Sequence, residues 1–234
     1  MVPLSFAGEE WLLTEGRALY WPSERALLVA DLHLEKGSFF AGHGQMIPPY
    51  DSRETLERVA LAIRETGARR VITLGDNFHD SDGSTRLEPH ACGMLEALTK
   101  AVDWVWITGN HDPHMDARCG GVLVEELELG GVVLRHRAHK GETRPELSGH
   151  YHPRLQLKIR HRNIRRPCAV VSANDGADGK PSGRMILPAF GAYTGGMNAA
   201  DPAILAALQP AERIDAVVPA KGQLARFNLW NRAA

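Results

Sequence analysis

Apolar residues in this chain fall into short runs, each closed by a polar or glycine-rich turn. Leu4 to Phe6, Trp11 to Thr14 and Ala18 to Trp21 predict a small antiparallel start to a sheet, with Glu15-Gly16 as a turn. Leu27 to Ala30 predicts a buried central strand. Glu35 to Tyr50 holds Gly37, Gly42, Gly44, Pro48 and Pro49 and reads as a long loop with poor helix chemistry, placed to form a rim. Asp51 with Glu54 is a capping-box pattern opening a helix with the stripe Leu56, Val59, Ala60 and Ile63, ended by Gly67. Arg70 to Leu74 is the next strand, and Pro89 starts a second helix with Cys92, Leu95 and Leu98 on its apolar face. Val102 to Thr108 follows as a strand.

After Gly121 the texture changes to short runs joined by turns: Val122 to Leu129, Val132 to Arg135, Leu155 to Ile159 and Ala169 to Ser172. Met185 to Leu187, Ile214 to Val218 and Leu224 to Leu229 continue it, with a polar, Gly-rich hairpin tip over Asn174 to Gly183. Asp201-Pro202 caps a short helix through Leu208. The order is βαβαβ and then mostly β, without a repeat or a linker. It predicts one α/β domain over residues 1–234, with two sheets packed face to face and helices outside.

Length and composition fit that picture. The chain has 234 residues, 44% of them hydrophobic, enough for a sizeable core. A net charge of −1 provides no global field toward nucleic acid or membrane, so any basic patch is local. Cys92, Cys119 and Cys168 are odd in number and lack metal-finger spacing, which points to a reducing compartment. Residues 1–10 show no secretory leader, and no apolar run nears the ~20 residues that span a bilayer. The expectation is a soluble, cytoplasmic protein with no membrane partner.

The chemistry lies in the turns. Asp31-Leu32-His33, Gly75-Asp76-Asn77-Phe78-His79 and Gly109-Asn110-His111-Asp112 each follow an apolar strand, where α/β sheets place their sites. Gly149-His150-Tyr151-His152 is a fourth, and Arg135-His136-Arg137-Ala138-His139 ends another strand. Taken singly, each is an ordinary turn sequence. Together they offer carboxylate, amide and imidazole donors, a set suited to Mn, Fe, Zn or Ni rather than Ca.

In this order the motifs resemble the calcineurin-like metallophosphoesterase superfamily. Ala30-Asp31-Leu32-His33-Leu34-Glu35-Lys36, Gly149-His150-Tyr151-His152-Pro153 and the stretch Leu187 to Gly196 are similar to the DNA ligase-associated metallophosphoesterases, described as DNA-damage-response endonucleases. The resemblance implies a four-layer αββα sandwich of two mixed sheets. It implies a dinuclear centre, with manganese favoured, in which a metal-bridging hydroxide attacks phosphorus. Asp31, His33 and His152 would hold one metal, Asn110, His136 and His150 the other, and Asp76 would bridge them. His111 would touch the phosphate and assist the leaving oxygen, with Asp112 orienting it. DNA is the implied substrate, and a DNA ligase and a helicase are the implied partners.

Several readings stay open on sequence alone. His139 rivals His136 as the ligand, although His136 directly ends the Val132–Leu134 run. His79 is either a substrate or supporting contact or a satisfied turn histidine, and His43 sits in the rim loop. Arg135 and Arg137 are phosphate contacts or surface residues. The basic stretch Lys158 to Arg166 is a phosphate-tracking groove or the solvent face of strands. Phe190 and Tyr193 are candidates for base stacking. A small-molecule phosphodiesterase or nucleotide phosphatase is the alternative enzyme, and a metal-binding scaffold of a repair complex is the alternative of another class.

Overall fold

The alternation of apolar and polar residues decides which strands lie at an edge and which at the centre. In the computed structural model, which describes residues 1–115, 119–175 and 181–232, β1 (Val2–Phe6) buries Val2, Leu4 and Phe6 and exposes Pro3 and Ser5. It pairs with β2 (Glu9–Leu13), which leads through β3 (Leu19–Trp21) to β4 (Ala26–Val29). Every residue of β4 is buried, as expected of a strand covered on both faces. α1 (Lys36–Gly42) and α2 (Asp51–Thr66) lead to β5 (Arg70–Leu74). α3 (Gly83–Arg86) and α4 (Pro89–Ala101) lead to β6 (Asp103–Ile107) and then β7 (Val122–Val124). The first sheet has the order β1-β2-β3-β4-β5-β6-β7, and β4 through β7 run parallel.

The second sheet begins with β8 (Glu126–Leu129), β9 (Val132–Arg135) and β10 (Glu146–Ser148). A separate hairpin of β11 (Arg154–Ile159) and β12 (Arg162–Pro167) follows. Then come β13 (Ala169–Asp175), β14 (Pro181–Ser182), β15 (Arg184–Ile186), α5 (Pro202–Ala207), β16 (Arg213–Ala220) and β17 (Gln223–Asn231). Its order is β17-β16-β13-β15-β10-β9-β8, with β14 beside β13. β10 is parallel to both β9 and β15.

Three apolar layers hold this arrangement. Leu28, Ile72 and Ile107 of the first sheet meet Leu134, Leu147 and Val217 of the second, so the sheets pack face to face. Leu27, Val71 and Trp106 on the outer face of the first sheet pack under Leu56 and Val59 of α2 and Leu95 of α4. Val170, Ile186 and Ile214 on the outer face of the second pack under Ile204 and Ala207 of α5. The four layers are helix, sheet, sheet, helix, as expected. Among the described residues no helix is long and apolar enough to cross a membrane.

Four local expectations need correction. The segment read as a loop from Glu35 contains α1, entered through Glu35 in the left-handed region at φ 62°. Asp51 does not cap α2. It is that helix's first residue, Tyr50 is the N-cap, and the Asp51 carboxylate accepts from the Gly37 backbone N–H at 3.1 Å in α1. The run Val122 to Leu129 is two strands, β7 and β8, in different sheets. The strand β10 ahead of Gly149 was not anticipated, because Glu146 and Ser148 break the apolar pattern. The tip of the Asn174–Gly183 hairpin lies in part outside the described residues, and Asn174 pairs with Ser182 at its base.

Candidate metal centre

Five parallel strands end at one place. β4, β5 and β6 of the first sheet deliver Asp31, Asp76 and Asn110, and β9 and β10 of the second deliver His136 and the His150–His152 turn. The turns are tied to each other. Asp31 N–H donates to the Gly75 carbonyl at 3.2 Å, His33 N–H to Asp76 at 2.9 Å, and Gly149 N–H to His136 at 2.9 Å. Asp31, His33, Asp76, His150 and His152 all have positive φ, between 45° and 72°. Such backbone conformations are costly for these residue types and persist where the surroundings over-determine them. Gly75 and Gly109 must be glycine on grounds of space. A β-carbon on Gly75 would strike the His136 ring, and one on Gly109 would strike the backbone and carboxylate of Asp76.

Two sets of donors result. Asp31, His33, Asp76 and His152 each bring a ligand atom within 4.8 Å of one another, and Asp76, His136 and His150 form a second set. Asp76 belongs to both. Asn110 joins the second set, with its Oδ1 2.9 Å from His136 Nε2. His136 Nε2 also lies 3.1 Å from His150 Nδ1 and 3.3 Å from an Asp76 oxygen. On the other side, His152 Nε2 lies 3.3 Å from both Asp31 and His33.

Burial and hydrogen bonding bias these groups toward the forms that can bind a cation through a lone pair. His136 Nδ1 faces the Leu74 carbonyl at 3.0 Å, and a carbonyl only accepts, so Nδ1 carries the proton and Nε2 turns a lone pair inward. Burial, then His152 and His111, holds His33 well below the ordinary imidazole range. Burial, then the charges of His136 and Arg137, holds His150 down to about 4. Burial, assisted by Asp31, pushes the Asp76 carboxyl up. Imidazole nitrogens, an amide oxygen and two buried carboxyl groups therefore converge on one space. The donor set fits divalent metal ions.

The other expected residues divide. His136, and not His139, enters the cluster. The His139 backbone instead donates to Glu146 and accepts from Arg184. His111 is half exposed, with Nε2 4.0 Å from Asp76, and its Nδ1 donates to the His79 carbonyl at 2.8 Å. Asp112 does not orient the His111 ring. It is fully buried, and its carboxylate accepts from the backbone N–H groups of Gly109, Asn77 and Phe78 at 2.8–3.1 Å, locking the second and third turns together. His79 lies beside the site, with Nδ1 3.4 Å from His33 Nδ1. Burial, then Lys36, brings its pKa down to about 4.

Arg135 turns away from the site, because it is the last residue of β9 and points to the side opposite His136, which follows it. It pairs with Glu126, Glu142 and Glu146 at 3.1–3.3 Å, which occupies its guanidinium away from the cluster. Arg137 stays exposed and close enough to act on His150. His43 caps α1 through the Phe39 carbonyl and stays outside the cluster. Phe190 is buried beneath α2 and offers no stacking face. Lys158, Arg160, Arg162, Arg165 and Arg166 are exposed on the β11–β12 hairpin. The sequence reading missed Phe39 and Phe40 of α1, whose rings pack on His79 at 4.7 and 5.5 Å. Their adjacency in a glycine-rich segment was the only available signal.

With this geometry in view, the comparisons with known proteins are specific. Residues 24–172 match the calcineurin-like phosphoesterase family. The crystal structure of a Pseudomonas putida nuclease, MPE, is similar at 30% identity and a TM-score of 0.66, covering 92% of this chain and 95% of that one. No curated protein matches the chain. The match spans every residue that builds the cluster, from Asp31 to His152: the chain belongs to the calcineurin-like phosphoesterases and is a metal-dependent hydrolase of phosphate esters.

Proposed function

We propose that this protein is a dinuclear phosphodiesterase that cleaves DNA. The observation that carries the reading is the sharing of Asp76 by two donor sets. Asp31, His33 and His152 would hold one cation and Asn110, His136 and His150 the other, with Asp76 in reach of both sets. Such cations, when bound, would supply Lewis acidity: a lowered pKa for an attacking water and neutralised charge on the phosphoryl oxygens. His111 presents Nε2 toward the same space. In its protonated form it donates to the leaving oxygen, held in place by the His79 carbonyl. Arg137 adds positive charge beside His150. Asp112 keeps the two turns in register without touching substrate.

The similar structure is named a nuclease, which supports a nucleic acid as the substrate, and the resemblance of the motifs makes that nucleic acid DNA. Manganese suits the mixed nitrogen and oxygen donors. A DNA ligase and a helicase as partners, and a cytoplasmic location, follow from the family resemblance of the motifs and are part of the same proposal. The test is a panel of bis-p-nitrophenyl phosphate, p-nitrophenyl phosphate and single-stranded or nicked DNA with metal-loaded protein. DNA and the diester are expected to be cleaved. Turnover of the monoester alone would make it a phosphatase, and no turnover at full metal occupancy would leave a scaffold.

A further inference from the structure

The loop that follows β15 lies against the metal centre. Phe190 N–H donates to the Ala30 carbonyl at 2.8 Å and Gly191 N–H to Asp31 at 3.2 Å. Arginines from four parts of the chain close on its carbonyls. Arg17 donates to Ala189 at 3.3 Å, Arg58 to Phe190 at 3.4 Å, Arg154 to Thr194 at 3.4 Å and Arg165 to Gly196 at 3.3 Å. Only Arg58 has a carboxylate partner among the described residues, Glu54 one helical turn away. Burial, then the charges of Arg58 and Arg154, holds the Arg17 guanidinium below its usual value, so the three are near neighbours.

Topology puts this group at the metal-binding end. β2 runs parallel to β4, since each is antiparallel to β3, so the Thr14–Ala18 turn that carries Arg17 lies at the end where β4 delivers Asp31. Arg154 starts β11 two residues after His152. A cavity of about 290 Å³ opens at the same end, lined by Arg17, Arg166, Thr14, Pro188 and Glu15, the single carboxylate of its lining. Each guanidinium has five donors. One hydrogen bond to a carbonyl leaves most of them without a hydrogen-bonded protein partner among the described residues, and the Arg17 charge is offset only by the more distant Glu54.

We propose that Arg17, Arg154 and Arg166 form a second phosphate subsite. It would hold the backbone of a DNA strand one or more linkages away from the phosphate at the Asp76 cluster. The subsite rests on the phosphodiesterase reading and adds the reason a polynucleotide is preferred to a small diester, which cannot reach both places. The competing structural role, that the arginines only prop the 189–196 loop, makes a different prediction for lysine, which keeps the charge.

The test uses metal-loaded full-length protein and a fluorescein-labelled phosphorothioate oligothymidylate, which keeps its charge and resists hydrolysis. Anisotropy is followed over a salt series, beside kcat/KM on DNA and on bis-p-nitrophenyl phosphate. The R17A/R154A pair is expected to bind roughly tenfold more weakly. Its salt slope is expected to fall by about 0.7 for each phosphate contact removed. The DNA-to-diester ratio of kcat/KM should fall with it, and R17K/R154K should recover most of the slope. R166A, which releases no loop contact, should lose about 0.7 from the slope and serves if the double variant does not fold. Unchanged affinity and slope in R17A/R154A and R166A, or a loss that lysine does not repair, would overturn the subsite. Wild-type protein that binds the oligonucleotide through these arginines yet cleaves no DNA would instead overturn the nuclease reading alone.

Discussion

His136 shows how much of a site is set by one backbone carbonyl. Leu74 fixes its Nδ1 proton, so the lone pair of Nε2 meets Asn110, His150 and Asp76. The choice between His136 and His139 was open in the sequence because both follow the same strand. It closes in the structure because only His136 lies over the Gly75 turn. Asp76 is where both donor sets depend on one side chain. Asp76→Asn should lower bound metal from two ions per chain to one or none and cut diester turnover by at least about 100-fold. Metal content measured per chain checks this, and full occupancy in the variant would remove Asp76 from its bridging role. At the opposite extreme is Cys168, whose thiol burial pushes up to about 12. Iodoacetamide near about pH 8 should modify the half-exposed Cys92 and spare Cys168. Mass spectrometry of the folded protein reads the difference, and equal labelling would contradict the burial.

At the scale of elements, the strands that end in the motifs were legible because their apolar runs are interrupted by Gly-Asp and Gly-Asn. Gly75 and Gly109 are required by close approach, to the His136 ring and to Asp76. Gly109→Ala should displace Asp76 and lower turnover by about 100-fold, the usual effect of a misplacement of about 1 Å at a reacting centre. A variant that is active, with two metals bound, would show that the turn relaxes at little cost. α1 was not legible. Gly37 and Gly42 argue against a helix locally, and what holds it is tertiary: Asp51 on the Gly37 N–H and the Phe39 and Phe40 rings on His79. β10 was invisible for the related reason that Glu146 and Ser148 look like surface residues until Arg135 and Arg184 surround the glutamate.

At the scale of the whole molecule, that buried ion pair joins distant parts of the second sheet. Glu146 is 0% and Arg184 1% exposed, and Arg184 also donates to the His139 and Gln209 carbonyls at 2.7 and 2.5 Å. Arg184→Ala leaves Glu146 with Arg135 as its one remaining cation and frees the His139 and Gln209 carbonyls, so it should destabilise the fold by about 1–3 kcal/mol, read by urea unfolding. A loss below about 1 kcal/mol would mean that water reaches the glutamate. The sequence by itself determined the strands with their terminal acids and histidines, the two-sheet architecture and the family, because those are written in local periodicity and in the order of short motifs. Tertiary structure alone decided that Val122 to Leu129 splits between two sheets, that Asp112 locks turns rather than a ring, that Arg135 faces away from the site and that four arginines meet on one loop. The physical reason is distance along the chain. Each of those outcomes depends on partners brought together only when separate strand ends and turns converge, from about ten residues away for Arg135 to 172 for Arg17, and the local apolar pattern does not encode which turn meets which.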